Sequence, residues 1–536
     1  MRRSVCLALP VLFLFLLCFG YDKALSQDQG GANVSGSREI HLVGGDWGLP
    51  TPLTFYPRGP GYVHLSLVYD TLVWKDQKGV IPWLADSWEC TPDGLQWTFE
   101  LRPGIKWQDG RPLTVEDVCF SFAYLQQHAF EWLPMDKIAK VEPRGDAAVV
   151  IHLNAPYAPF LTQIAGSLPI IPKHVWQDVE DPRNSAGPDR VMGSGPYRLV
   201  QYDKTQGAYE YRANEQFFKG RPAIGKVLFV PAADPVAALL RGMVDEAGIP
   251  ASLLPQFDCR SEFAILRGPS FWVLTLRFNT DAAPFAQKAV RQAFAYAIDR
   301  KALIEQAVPG GLAGAAPGNP GFLPADSEWF DPAQQNLYPF HLERARDLLR
   351  TAGIEDRNGD GQLEDAQGKK MEFTLITTSQ YLREAEALQL MLSKIGLSVQ
   401  PKAMDIKSLD SQVRAGRFEL ALTGHGGLGA DPSAVMGFGA VDGRMQQFGA
   451  PTDPTFRELA EKLLTSTDPA RRIELARSMQ RIYAEDLPTL PLYYPSRLTA
   501  YRPKVLDGWF YTAHGGVGIG IPLPYNKLLF IAGGRP

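Results

Sequence analysis

Apolar and polar positions alternate through Gln96, Trp97, Thr98, Phe99, Glu100 and Leu101. This puts Trp97, Phe99 and Leu101 on one side of an extended segment and predicts a half-buried strand. A Gly/Pro turn follows, and beyond it the apolar spacing changes to that of a helix. Thr114 stands at the start of that helix, where a side-chain oxygen can accept from an unpaired amide, and Glu116 and Asp117 put negative charge in its first turn. Helical spacing returns in "VRQAFAYAIDRKALIEQA", where Val290, Phe294, Ala297, Ile298 and Leu303 share a face and predict one amphipathic helix. Next come a helix in "LERARDLLRTAG" that stops at Gly353, a strand over Met371 to Thr378, a helix from Tyr381 to Ile395 and the strand-like "LSVQPKAM". Nearer the start, "IHLVGG" (Ile40 to Gly45) and "SLVYDTLVW" (Ser66 to Trp74) read as strands or buried segments. Helices alternating with strands in this way predict an α/β protein with several mixed sheets.

With 536 residues, of which 45% are hydrophobic and 21% charged, the chain has the composition of a globular protein of two to four domains. Residues 1–26 are set apart from the fold: Arg2 and Arg3 precede the apolar run Val5 to Gly20, and Ala24 and Ser26 are small enough for a signal peptidase. Export with cleavage before Gln27 is expected, the alternatives being an uncleaved anchor or a lipoprotein cut before Cys18. Pro10 interrupts the run and makes it short for a membrane span, and Leu17 is bulky for the position before a lipidated cysteine. Taking three basic residues and one acidic residue from a chain of net charge −4 leaves −6, which argues against nucleic acid as a partner. Cys90, Cys119 and Cys259 then remain, and three cysteines cannot all pair within one chain. A secreted hydrolase is the rival class. No histidine is followed by glutamate, and Met192 stands where the first glycine of a nucleophile elbow would be, so no zinc-hydrolase or serine-hydrolase motif is present.

Four segments are more specific than any of these patterns: "PDGLQWTFELRPGIKWQDGRPLTVEDVCFSF" (Pro92 to Phe122), "GSGPYRLVQYD" (Gly193 to Asp203), "FNTDAAPFAQKAVRQAFAYAIDRKAL" (Phe278 to Leu303) and "IYAEDLPTLPLYY" (Ile482 to Tyr494). In content and order they resemble the family 5 extracellular solute-binding proteins, the peptide and nickel receptors of ABC importers. The resemblance implies a three-domain venus-flytrap fold. Domain I would be assembled from residues 27–77, 193–277 and 492–536, domain II would span 78–192, and domain III 278–491. It also implies a periplasmic monomer with no required cofactor, which encloses a small solute between lobes and hands it to an inner-membrane permease. A peptide or peptide-like ligand is expected, with a nickel or other metal chelate as the alternative.

The same resemblance points to "ALTGHGGLGADPSAVM" (Ala421 to Met436) as the ligand-facing strand. Peptide-binding members hold the ligand's ammonium on an aspartate there; here that position is Leu428. Gly424, Gly426, Gly427 and Gly429 strip bulk from the strand and would let a ligand's backbone approach. His425 offers an imidazole suited to a metal chelate, or else a structural hydrogen bond. Asp431 is either a ligand contact or a turn residue before Pro432. In the loop after the first strand, Trp47 and Arg58 would supply a stacking face and a cation, against ordinary loop packing. Trp272, Asn279 and Tyr494 are implied near the crossings between lobes, as ligand-lining or structural residues, while Ser194 in the "GSGPY" turn serves geometry.

One motif stands apart from the capture of solute. In "DRNGDGQLED", Asp356, Asn358 and Asp360 occupy positions one, three and five of a calcium loop, Gly361 the sharp turn and Gln362 the carbonyl at seven, but Gln367 replaces the closing glutamate at twelve. Two readings stand side by side: a weak structural calcium staple, and an Asp/Asn/Gly-rich turn satisfied by its own backbone.

Overall fold

The alternating segment forms the strand Gln96–Leu101, second of four in an antiparallel sheet ordered Ala85–Cys90, Gln96–Leu101, Ala148–Leu153, Ile138–Arg144. Its inward rings pack on Phe160, with the Trp97 and Phe160 centroids 5.0 Å apart. The helix Val115–Gln127 begins where Thr114 requires, and the Thr114 amide donates to Asp117 Oδ2 at 2.9 Å. Asp117 is itself buried, and its other oxygen accepts from the Lys173 amide at 2.9 Å, so the cap also fixes a distant turn. This computed structural model describes residues 38–55, 59–128, 133–185, 187–426, 428, 431–432, 451, 453–512 and 526–534. The expected signal segment, Arg58, Gly427 and Gly429 lie outside the described residues.

Three larger sheets and a two-stranded antiparallel pair, Val73–Lys75 with Val80–Pro82, organise the rest of the described residues. Arg38–Val43 runs parallel to Ile224–Val230, which continues antiparallel through Ala208–Ala213 to Tyr197–Asp203. Glu246–Gly248, Arg497–Tyr501 and Ala264–Gly268 make a three-stranded antiparallel sheet. The largest has six strands, in the order Ala315–Pro317, Thr489–Pro495, Val273–Phe278, Leu420–His425, Glu372–Thr377 and Ser398–Ala403. Its last three strands are parallel, and the helices Leu382–Ser393 and Ile406–Arg414 lie between them in sequence, as parallel pairing demands of its crossovers. Two neighbouring strand-to-strand steps join the three-stranded sheet to this one: Gly268 to Val273, and Pro495 to Arg497.

Three sequence readings are refined. The single helix expected from Val290 to Leu303 is two, Lys288–Ala297 and Arg300–Ala307. Ile298 is extended at the break, and the Asp299 carboxylate caps the second helix by accepting from the Lys301 and Ala302 amides, each at 3.1 Å. Both halves bury into one core, which preserves the apolar period across the break. Ser66 to Trp74 is divided between the end of a helix, Gly59–Val68, and the start of the strand Val73–Lys75; the helix is buried on nearly all sides and so shows no amphipathic period. Cys90, Cys119 and Cys259 are all unpaired thiols.

The "GSGPY" turn is pressed against the chain after Gly59–Val68. A Cβ on Gly193 or Gly195 would come within 2.0 Å or 2.5 Å of the Val68 carbonyl oxygen, and the Ser194 hydroxyl donates to Asp70 at 2.8 Å.

Candidate ligand-binding site

The strand Leu420–His425 lies between Val273–Phe278, antiparallel, and Glu372–Thr377, parallel. Its first residues are core: Leu420, Ala421 and Leu422 are fully buried. Beyond Thr423 glycines take over much of the chain, at 424, 426, 427 and 429. Gly424 and Gly426 lie two apart and so face the same side. The half-buried Trp272 indole fills the strip they vacate: a Cβ on Gly424 would sit 2.3 Å from its Nε1, and one on Gly426 2.9 Å from its Cε3. Trp272, Gly424 and Gly426 therefore form one surface, with the Tyr381 hydroxyl beside the indole. The backbone of His425 pairs opposite Val273; its side chain lies outside the described residues.

Leu428, where the resemblance implies an ammonium anchor, is fully buried among Val273, Phe322, Phe456 and Tyr494. Asp431 does more than initiate a turn. Its two oxygens meet both terminal nitrogens of Arg472 at 2.7 Å, a bidentate pair in which each partner is about nine-tenths buried. Arg472 Nε donates to the Leu463 carbonyl at 3.2 Å, and its guanidinium lies 5.3 Å over the Trp329 ring.

The other sequence-selected residues are dispersed. Asn279, just past the far end of Val273–Phe278, donates to the Gly416 and Phe418 carbonyls at 3.1 and 2.8 Å and braces the entry to the neighbouring strand. The buried Tyr494 donates to the Phe322 carbonyl at 3.0 Å and accepts from Asn319 Nδ2 at 3.0 Å. Trp47 is half-buried, its amide donates to the Tyr209 hydroxyl at 3.0 Å, and its indole folds back over Gly45.

Two groups escaped the sequence reading. Lys75, the last residue of Val73–Lys75, is only 6% exposed. Burial pushes its ammonium down to about 8, and the Asp431 carboxylate pulls it the other way. The only local signal is a charged residue ending an apolar run, which does not tell inward from outward. Glu364 is the second. It occupies position nine of the acidic loop, is 2% exposed, and lies with Asp356 and Asp360 so that one carboxylate oxygen of each falls within 4.8 Å of the others. Asn358 Nδ2 donates to Glu364 at 2.6 Å, the Gly359 and Gly361 amides bind Asp356, and Lys370 Nζ bridges Asp360 at 2.8 Å and Gln362 at 3.0 Å. Lys370 holds the Asp360 carboxyl below the usual range. Three convergent carboxylates supply oxygens of the kind a calcium ion takes, and Lys370 pairs with one of them.

Residues 79–446 match the protein-family model of bacterial extracellular solute-binding proteins, family 5 Middle. The chain belongs to this family. It is a solute-binding protein rather than an enzyme, and its mixed α/β fold is that of the family's periplasmic binding proteins. The oligopeptide-binding protein AppA of Bacillus subtilis (strain 168) is 27% identical over 470 residues, 83% of this chain and 84% of AppA. The nickel-binding periplasmic protein of Escherichia coli (strain K12) is 28% identical over 469 residues, 82% and 86% of the two chains. Among solved structures, NikA from Brucella suis in complex with Fe(III)-EDTA superposes with a TM-score of 0.75 at 22% identity, over 91% of this family 5 chain and 99% of NikA. No helix among the described residues is long and apolar enough to cross a membrane.

Proposed function

We propose that the chain captures a peptide or peptide-like small solute by closure of two lobes and delivers it to an ABC permease, acting as a periplasmic monomer after loss of residues 1–26. The observation that carries this reading is the pair of adjacent steps, Gly268 to Val273 and Pro495 to Arg497, between the three-stranded and six-stranded sheets. Short paired connections absorb a rotation while the sheets stay rigid, so a ligand touching both sides shifts the population toward the closed form. Domain II at 78–192 and domain III at 278–491 belong to this proposal; the antiparallel sheet from Ala85–Cys90 to Ala148–Leu153 falls wholly within the first. Trp272, Gly424 and Gly426 are the proposed ligand platform, and Trp47 and Arg58 in the loop after the first strand are kept as proposed ligand contacts.

Native mass spectrometry of protein purified without refolding is expected to find a bound solute with the mass of a short peptide. X-ray scattering should contract when pooled short peptides are added. Identical scattering with and without peptide, together with an empty native spectrum, would sink the proposal.

A metal chelate is the second reading, favoured by the place of His425 on the strand beside the Trp272 surface, since neutral imidazole is a common metal ligand. His425→Ala separates the two: a chelate receptor loses affinity for nickel with L-histidine by about tenfold or more, whereas backbone-led peptide binding changes little. Calcium is proposed only as a structural ion of the 356–364 loop, held by Asp356, Asn358, Asp360, Gln362 and Glu364.

A further inference from the structure

Three of the buried cations among the described residues sit in close ion pairs. Lys527 meets Asp70 at 2.6 Å with both side chains fully enclosed, Arg291 meets Asp486 at 2.8 Å, and Arg472 grips Asp431 with two nitrogens. Lys75 breaks the pattern. The residue is 6% exposed, and among the described residues its side chain makes no hydrogen bond or ion pair. An ammonium held out of water without a partner costs several kcal/mol unless something supplies the missing charge.

Its surroundings locate it. Trp74 turns toward Lys527 and Trp83, so Val73 and Lys75 share the opposite face of their strand. On that face Val73 packs against Gly166, 3.5 Å from where a Cβ would stand. The segment leading to Gly166 reaches the other half of the molecule, because the Ala158 amide donates to the Leu464 carbonyl at 2.8 Å and the adjacent Leu463 carbonyl holds Arg472. Lys75 thus looks across from the N-terminal part of the fold toward the Asp431–Arg472 pair, near enough for Asp431 to act on it. Asp431 offsets the burial of Lys75 only in part, since it is already engaged by Arg472 and burial remains the larger effect.

We propose that Lys75 is the anion-reading group of the ligand site, its ammonium taking a carboxylate of the bound solute. The inference rests on the solute-capture reading above and deepens it by naming the chemistry of the ligand: a carboxylate, whether the free C-terminus of a peptide or the acid group of a metal chelator. The ammonium is a compact point charge on a flexible stem, suited to a single carboxylate rather than to a planar bidentate match. Bridging from one half of the molecule to the other, that contact would also favour closure.

Isothermal titration of the full mature chain with three probes tests this: a pool of short free-acid peptides, the same pool amidated at the C-terminus, and nickel with L-histidine. Wild type should prefer the free-acid pool or the chelate over the amidated pool by about ten- to a hundredfold, the worth of a charge-assisted hydrogen bond. Lys75→Met should abolish that preference, and Lys75→Arg should restore part of it. Preference for the free-acid pool identifies a peptide C-terminus as the source of the carboxylate, and preference for the chelate identifies the chelator's acid group. Equal binding of free-acid and amidated pools by wild type, or a preference that survives in Lys75→Met, overturns the inference and leaves solute capture standing. A wild type that binds none of the three overturns both.

Discussion

Gly424 shows how much one missing methyl group can decide. An added Cβ would lie 2.3 Å from the Trp272 indole, a rigid ring rather than the free end of a flexible chain. Gly424→Ala is therefore expected to cost on the order of 1–3 kcal/mol and to change Trp272 fluorescence, checked by chemical denaturation and emission spectra. Lys75 carries a different kind of strain. Its folded-state value of about 8 lies below that of a solvated lysine, so between roughly pH 8 and 10.5 the unfolded chain binds a proton that the folded chain does not. The cost of the buried charge is present in full below that window and fades as pH rises through it. Lys75→Met should be more stable than wild type at pH 7 by on the order of 3 kcal/mol in the absence of ligand, the gain shrinking toward pH 10.5, as thermal melts across that range would measure.

At the scale of elements, the 356–364 loop lies between the helix Leu342–Thr351, after which Gly353 is left-handed at φ 81°, and the strand Glu372–Thr377. The Leu363 amide donates to the Gly396 carbonyl at 2.9 Å and its carbonyl accepts from the Met371 amide at 2.8 Å, which ties the loop to the edge of the six-stranded sheet. An ion that binds the folded loop alone stabilises by mass action. Millimolar calcium should therefore raise the melting temperature by a few degrees, and Glu364→Gln should remove most of that response. No shift in wild type would leave the loop as a turn held by Lys370 and its own amides. The break between Lys288–Ala297 and Arg300–Ala307 belongs to this scale too: a cap at Asp299 overrides an apolar period that runs on through it.

For the whole molecule, the joint at Asp70 connects the most distant parts of the chain. Lys527 is stacked over Trp74 and Trp83 at 4.1 and 4.8 Å, Trp83 Nε1 donates to Asp70 at 2.6 Å, and Asn526 accepts from Trp74 Nε1 and donates to the Lys75 carbonyl, each at 3.0 Å. The helix Lys527–Ala532 is thereby locked onto the N-terminal sheet region, directly behind Lys75. Lys527→Met alone leaves Asp70 buried without its cation and should cost about 3–5 kcal/mol, whereas Lys527→Met with Asp70→Leu should cost less, a non-additivity that a double-mutant cycle in urea would resolve. The sequence by itself determined the α/β class, the family and the capture of solute. It also determined the strand Gln96–Leu101, the Thr114 cap, the stop at Gly353 and the glycine-stripped strand that meets Trp272. These features depend on spacing between near neighbours, with periods of two and 3.6, or on blocks of residues whose order the chain preserves. Only the tertiary structure decided that Asp431 is held by Arg472, that Glu364 completes the acidic loop, that Lys527 is sealed against Asp70 and that Lys75 points inward. A buried charge is tolerated or strained according to what the fold brings to it from tens or hundreds of residues away, and no local period records that partner.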